Sequence, residues 1–314
     1  MEKIGINRWM NFPWEVICIL FTLQFCVLSC KDDDDEGKDG DKQENVSDNI
    51  RTFSVNGVSF RLIRVEGGSF VMGSQRTNPD APGYYADPFD SEMPTHKVKL
   101  SSYYIGETEV TQALWYAVTN NHSYDMWWKT YGMGDQIPVN WCTWDGIKEI
   151  FLPALNDSLH NSGQLSPNET IDLPTEAQWE FAAKGGNKSK SFLYSGSNDA
   201  NEVGWIAPIE DNNDMNKKYV CHEVAQKKMN EIGLYDMTGN ASEWVRDKFA
   251  YYTGADLIDP ISGDSTKGVY RDMRVIKGGS IELQYYGCRN AYRTGTEHDQ
   301  NWRYAGFRLG IDLK

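Results

Sequence analysis

Nine tryptophans fall beyond residue 100, and they are spread over short segments punctuated by Gly and Asn. One amphipathic stripe repeated along a long element cannot bury that many large rings. They need a core assembled from many short pieces. An α+β domain of low regularity fits this better than a layered α/β fold.

The local signals agree. Val58-Ser-Phe-Arg-Leu-Ile-Arg-Val65 is rich in β-formers, Gly67-Gly68 punctuates it, and Ser69-Phe-Val-Met72 follows, which reads as a hairpin. Lys97 to Ile105 alternates as one strand. Thr108 to Val118 turns helical, with Thr108 or Glu109 at its start and Leu114, Trp115 and Val118 on one face. Residues 143–159 predict a second helix with Thr143 as N-cap and Ile147, Ile150 and Phe151 inward, bent or broken by Pro153. Thr175-Glu-Ala-Gln178 is a capping box opening a third helix, with Trp179, Ala182 and Ala183 on its buried side and Gly185-Gly186 at its end.

The first 29 residues read as a signal segment: Lys3 and Arg8 precede a mostly apolar run from Trp14 to Leu28, too short to span a bilayer. Val27-Leu-Ser-Cys30 reads as a lipobox, which would make Cys30 the site of lipid attachment. The plainer alternative is a secretory signal with a chance cysteine. Residues 31–48 hold nine acids and three lysines, a net of −6, with almost no apolar surface to bury. Residues 30–49 are therefore expected to be a disordered tether. Its Lys-then-acid start resembles the surface-export signal of some Gram-negative lipoproteins. A solvated spacer on a periplasmic protein is the alternative. The expected setting is the outer membrane, with the chain exposed at the cell surface in the first case.

Residues 50–314 then form one domain. The signal segment is neutral, so of the overall charge of −14 the body carries the remaining −8, and an acidic body has no electrostatic case for nucleic acid. Cys142, Cys221 and Cys288 remain in it, without a CxxC; one pair plus a buried thiol, or three buried thiols, are both open. The five histidines are scattered, with none paired at helical spacing.

Gly233-Leu-Tyr-Asp-Met-Thr-Gly-Asn-Ala-Ser-Glu-Trp244 puts Asp236, Gly239, Ala241 and Glu243 on one tight turn. Two carboxylates and two backbone carbonyls are hard oxygen donors of the kind calcium takes. By spacing alone, a plain turn with a surface carboxylate is the better reading.

Other stretches stand with it: Gly68-Ser-Phe-Val-Met-Gly73, Glu92-Met-Pro-Thr-His96, Glu107-Thr-Glu-Val-Thr111 leading to Trp115, Pro138-Val-Asn-Trp141, Leu173 to Ala183, Lys277-Gly-Gly-Ser280, Cys288-Arg-Asn-Ala-Tyr-Arg293 and Gly306-Phe-Arg-Leu309. In this order they resemble the formylglycine-generating enzyme, or sulfatase-modifying factor, family over roughly residues 58–312. The resemblance implies a C-type-lectin-like α+β fold, and it moves calcium at Asp236, Gly239, Ala241 and Glu243 to the favoured reading. It also implies a second calcium position starting at Asn201 with the carbonyl of Glu202.

The family's oxidase converts a sulfatase cysteine to formylglycine with two cysteines of its own that bind copper(I) just after Gly-Gly-Ser. Soft thiolates select that ion. Here Leu283 stands at the first of those positions, the segment to Cys288 looks shortened, and no second cysteine precedes Cys288. Copper is therefore not expected. A non-catalytic module that binds a protein or glycan, or a part of a surface or secretion complex, is the leading expectation; the oxidase is the alternative. The candidate ligand surface is Ser280, Leu283, Tyr285, Tyr286 and Trp302, with Tyr270, Asn301 and Tyr304 as extensions, although tyrosines there would serve equally as core. Arg289, Arg293 and Arg308 are expected to anchor buried carboxylates such as Glu180 or Glu243.

Overall fold

The structure is a computed structural model and describes residues 49–209, 218–262 and 272–313. The expected signal segment, Cys30, the acidic tether and Tyr270 lie outside the described residues.

The strands in chain order are β1 (Ile50–Val55), β2 (Val58–Val65), β3 (Gly68–Met72), β4 (His96–Leu100), β5 (Tyr103–Gly106), β6 (Ser242–Lys248), β7 (Leu257–Ile258), β8 (Met273–Lys277), β9 (Thr294–Glu297), β10 (Ala305–Phe307) and β11 (Gly310–Asp312). They form three sheets with the orders β1-β2-β5-β11, β10-β6-β8-β9 and β3-β4-β7. The helices are α1 (Gln112–Thr119), α2 (Asp125–Tyr131), α3 (Trp144–Gly146), α4 (Leu152–Asn161), α5 (Glu176–Ala183) and α6 (Ala200–Val203).

Two expectations about strands are corrected. The hairpin is β1–β2, closed by Asn56 and Gly57, both at positive φ, as a two-residue hairpin turn requires. No hairpin joins β2 to β3. Gly67 passes so close to β4's end that a Cβ there would lie 2.6 Å from the Leu100 carbonyl oxygen. It is a crossing between sheets. The expected single strand from Lys97 to Ile105 is two, β4 and β5, which belong to different sheets and part at Ser101-Ser102.

The helices keep to their signals with two shifts. α1 begins later than expected: Thr111 is its N-cap, accepting from the Leu114 N–H, while Glu109 is buried and serves another purpose. Thr143 caps the second helix as expected, and directly before Pro153 the regular helix is interrupted, α4 starting at Leu152 with Pro153 in its first turn. Residues Ile147–Phe151 widen into a π turn, in which Leu152 N–H reaches back to the Ile147 carbonyl. The wide turn lets the chain continue past a residue without an N–H and rotates the faces. Ile147 and Phe151 stay inward, whereas Ile150 turns out to solvent at 45% exposure. The capping box of α5 is complete in both directions, and the whole helix is buried.

Tryptophan packing carries the core. Trp115, Trp128, Trp179 and Trp244 are fully buried, and Trp115 stacks on Phe151 at 5.3 Å. Their ring N–H groups are satisfied by neighbours: Trp128 donates to the Asn140 carbonyl, Trp244 to the Cys142 carbonyl and Trp179 to Glu243. One apolar cluster lies under β1-β2 with α1 and α4, and a second is built from β3, β4, β8 and α5.

Candidate functional site

Two loops meet beside the central sheet: the turn 233–244 and the segment after Gly278-Gly279. Gly279 sits at positive φ, and a Cβ there would run into the Gly287 carbonyl and the Cys288 sulfur. Only glycine lets residues 280–288 fold back this tightly. The loop closes on itself through Leu283 N–H to Ser280 O and Gly287 N–H to Gln284 O. Ile281 N–H donates to the Asn240 carbonyl, which ties it to the turn 233–244.

Leu283 is half-buried, and its carbonyl accepts from Ala207. Ser280 is buried, Tyr285 exposed and Tyr286 half-buried, with the two tyrosine rings edge to face at 5.6 Å. Trp302 is exposed, and the charge of its neighbour Arg303 acts on Glu282 in this loop. Tyr304 does not extend the surface: it is fully buried, and its hydroxyl donates to the Tyr219 carbonyl and accepts from the Tyr219 N–H. Its backbone needs a left-handed conformation next to β10, which aims the ring inward.

Cys142, Cys221 and Cys288 are all free and buried. Each thiol rests on different carbonyls: Cys142 on Ala305, Cys221 on Asn240, and Cys288 on Ser280 and Leu283. Burial pushes all three thiols up, Cys288 to about 12. A thiol held neutral in this way is neither a nucleophile nor a ready metal ligand.

The expected calcium donors are divided. Glu243 is fully buried and taken by Arg308: Nε donates to Oε2 at 2.6 Å and Nη2 to Oε1 at 2.7 Å. Trp179 adds a third bond at 2.7 Å. This bears out Arg308 as the anchor of a buried carboxylate and removes Glu243 from a simple donor set. Asp236 is different. Its Oδ2 accepts from the Ala225 N–H at 2.6 Å, but its buried Oδ1 has no partner. Burial, with Glu243 adding to it, raises its carboxyl to about 6 against the pull of the Ala225 N–H and Arg308. Glu109 completes the cluster, accepting from Ala241 N–H and the Asn240 side chain. Burial, then Asp236 and Glu243, push its carboxyl well above the usual range. Three buried carboxylates thus surround one guanidinium. Among the described residues no three His, Cys, Asp or Glu side chains converge as a metal cage. The cluster fits a cation at Asp236 and does not fit one held by Glu243 without loosening Arg308.

Asn201 is not brought to this cluster's donor set. It is exposed on α6, its carbonyl accepts the Lys227 ammonium at 2.8 Å, and the Glu202 carbonyl accepts the Lys228 N–H. The Asn201 side chain itself donates to Asp199 Oδ1 at 3.2 Å.

The other arginines pair as buried forks, Arg289 with Glu92 and Arg293 with Glu176. Glu180 goes instead to Lys184 and Lys277. Sequence reasoning missed the role of Glu109, although it lies within the quoted Glu107-Thr-Glu-Val-Thr111 stretch. A buried acid with no apolar period of its own carries no local signal.

The domain described as sulfatase-modifying factor enzyme 1-like matches residues 51–313. The chain belongs to that family. Chaperone protein LppX of Paenibacillus barcinonensis is 32% identical over 226 residues, 60% of this chain and 71% of that protein. The formylglycine-generating enzyme of Streptomyces coelicolor is 26% identical over 80% of this chain and 88% of its own length. The inactive Cα-formylglycine-generating enzyme 2 of Bos taurus is 25% identical, covering 72% and 77%. Among solved structures, Treponema denticola variable protein 1 aligns with a TM-score of 0.64 and 27% identity over 84% of this chain and 99% of its own. The α+β fold of the family is therefore the fold of this chain.

Proposed function

We propose that this chain is a non-catalytic member of the family. It binds a protein or glycan through the face around Ser280, Leu283, Tyr285, Tyr286 and Trp302, as a display module or as part of a surface or secretion complex. The observation that carries this is Leu283 in place of a cysteine, beside a lone Cys288 thiol that is buried and held neutral. Copper(I) needs paired thiolates, and one protonated thiol cannot supply them. That a similar protein is described as inactive, and another as a chaperone, supports the reading. The test is a copper(I) titration with a cysteine-containing sulfatase peptide under air, read by mass spectrometry. No formylglycine should form; its appearance at a catalytic rate overturns the proposal in favour of the oxidase.

We further propose a lipid on Cys30, which anchors the chain to the outer membrane of a Gram-negative bacterium through the acidic tether. Labelling with a clickable fatty acid should mark the full chain and fail in Cys30→Ser. For metal, we propose calcium at Asp236 with the carbonyls of Gly239 and Ala241, where it would supply the positive charge that the three carboxylates lack. Calcium should raise the melting temperature over the chelated protein, and Asp236→Asn should abolish that rise. A calcium-independent melting temperature in the parent rejects the ion.

A further inference from the structure

Three aromatic rings beside the loop 280–288 form a stack that the core does not enclose. Trp127 of α2 lies 4.4 Å from Trp141, ring centre to ring centre, with the planes 16° apart. Tyr131, one turn further along α2, covers the other face of Trp141 at 5.1 Å and 7°. Trp141 is held there by a left-handed backbone, φ 59°, which a bulky residue adopts only where its surroundings impose it. Tyr131 is buried, whereas Trp127 and Trp141 are half-buried. All three belong to the apolar cluster that contains Ile281 and Tyr304.

The ring N–H groups set this pair of tryptophans apart. Those of Trp115, Trp128, Trp144, Trp179 and Trp244 each reach a carbonyl or a carboxylate. Those of Trp127 and Trp141 have no acceptor among the described residues. The enclosed side-chain atoms without a partner belong to Asn140, Trp205, Asp236 and Asn290, so the N–H groups of Trp127 and Trp141 are open to solvent. Because both faces of Trp141 are covered, what it presents outward is a ring edge that donates.

A carboxylate stands beside the stack. Glu282 is half-buried, and among the described residues its carboxylate accepts no hydrogen bond. Burial raises its pKa, and the charge of Arg303 offsets only part of that. The Glu282 charge acts on Cys221 and Tyr304, and Tyr304 stands edge to face against Tyr131 at 5.2 Å. The acid therefore lies toward the Tyr131 end of the stack, and the open edge of Trp127 marks the other end.

We propose that this stack binds a proline-rich segment carrying a basic residue. A polyproline II backbone has no internal hydrogen bonds, and at proline it has no N–H, so its carbonyls call for donors. The two indole edges supply donors without a competing acceptor. The segment is extended before it binds, so docking its rings on aromatic side chains costs little entropy. Glu282 matches an arginine or lysine beside the prolines, and the −8 of residues 50–314 draws such a partner in at long range. A saccharide stacks on open ring faces, and Trp141 has neither face free. The proposal does not depend on the loss of catalysis, and it uses none of Ser280, Leu283, Tyr285, Tyr286 and Trp302.

The test is calorimetric titration of the folded chain with decaproline extended by two arginines, with decaproline alone, and with a Gly-Ser peptide bearing the same two arginines. The arginine-bearing decaproline should bind most tightly, decaproline more weakly, and the Gly-Ser peptide not at all. Trp127→Ala should weaken binding about tenfold with an unchanged melting temperature. Trp127→Phe keeps a ring and removes the N–H; it should weaken binding by a smaller factor, and it carries the test if Trp127→Ala fails to fold. Glu282→Gln should bring the arginine-bearing peptide down to the affinity of decaproline alone. Ile258→Ala, at an exposed position in β7, should change nothing. The proposal is overturned if no proline-rich peptide binds, if the Gly-Ser peptide binds equally well, or if a neutral oligosaccharide binds with the same Trp127 dependence instead. It is also overturned if Trp302→Ala removes binding and Trp127→Ala does not, which would return the peptide to the face around Ser280.

Discussion

Two buried acids in this domain meet opposite fates. Glu180 is fully buried, which would raise its carboxyl, yet Lys184 and Lys277 together with the Gly73 N–H drag it down to about 2. Asp236 is almost as buried and rises to about 6: burial raises it, Glu243 adds to the rise, and the Ala225 N–H and Arg308 offset only part of it. Depth is common to both; what differs is the sign of the local balance. Two ammonium groups face one acid in the first neighbourhood, and three acids face one guanidinium in the second. Burial sets the stakes, and the count of opposite charges decides the direction.

The largest expected effect breaks the second neighbourhood. Arg308→Met leaves Glu243 without its fork and should cost about 4 kcal/mol in urea unfolding at pH 7. The deficit should narrow toward pH 5 as the acids take up protons. An unchanged deficit across that range would mean that packing, not charge, dominates.

Glu180→Gln tests the first neighbourhood from the other side, stranding the fully buried Lys277, with an expected loss of about 3 kcal/mol at pH 7. Because the folded carboxyl is depressed, its stabilisation is present above the unfolded value of about 4.3 and disappears as pH falls toward 2. Parent and variant should therefore converge in acid. Curves that stay parallel to pH 3 would contradict the contrast.

A third site supplies the opposite sign in the parent. Asp247 is buried against Glu176 and rises to about 6, despite N–H bonds from Ser262 and Glu176. A raised acid stabilises fully below its unfolded value and loses that contribution as pH climbs through the folded one. Stability should thus fall by about 2 kcal/mol between roughly pH 4 and 6. A curve rising through that window would show that depressed carboxylates outweigh it. The smallest effect belongs to the exposed side of the π turn. Ile150→Gln should change stability by under about 0.5 kcal/mol, whereas Ile147→Ala, in the core, should cost about 3 kcal/mol.

Local chemistry was readable where it closes over a few residues. The capping box at Thr175 and Gln178, the N-cap at Thr143 and the burial of Trp179 all follow from neighbours within a turn. Ile150 misled because a π turn changes the period on which its placement depended. The β1–β2 hairpin was written in Asn56-Gly57, but the Gly67-Gly68 pair drew the reading away. In the candidate site, the absence of a cysteine at Leu283 was legible at once. The capture of Glu243 by Arg308 was anticipated among the arginine anchors, while the same residue was also assigned to calcium; only one of those uses holds both of its oxygens.

The sequence by itself determined the family, the short elements with their caps and the missing second thiol, since these depend on residue identity and near neighbours. Tertiary structure alone decided which acid meets which cation, that Tyr304 turns inward, and that Trp141 is stacked between Trp127 and Tyr131. Those outcomes join residues up to two hundred positions apart, as Arg289 and Glu92 are, and the Coulomb and desolvation energies that settle them depend on distances in space that no local pattern encodes.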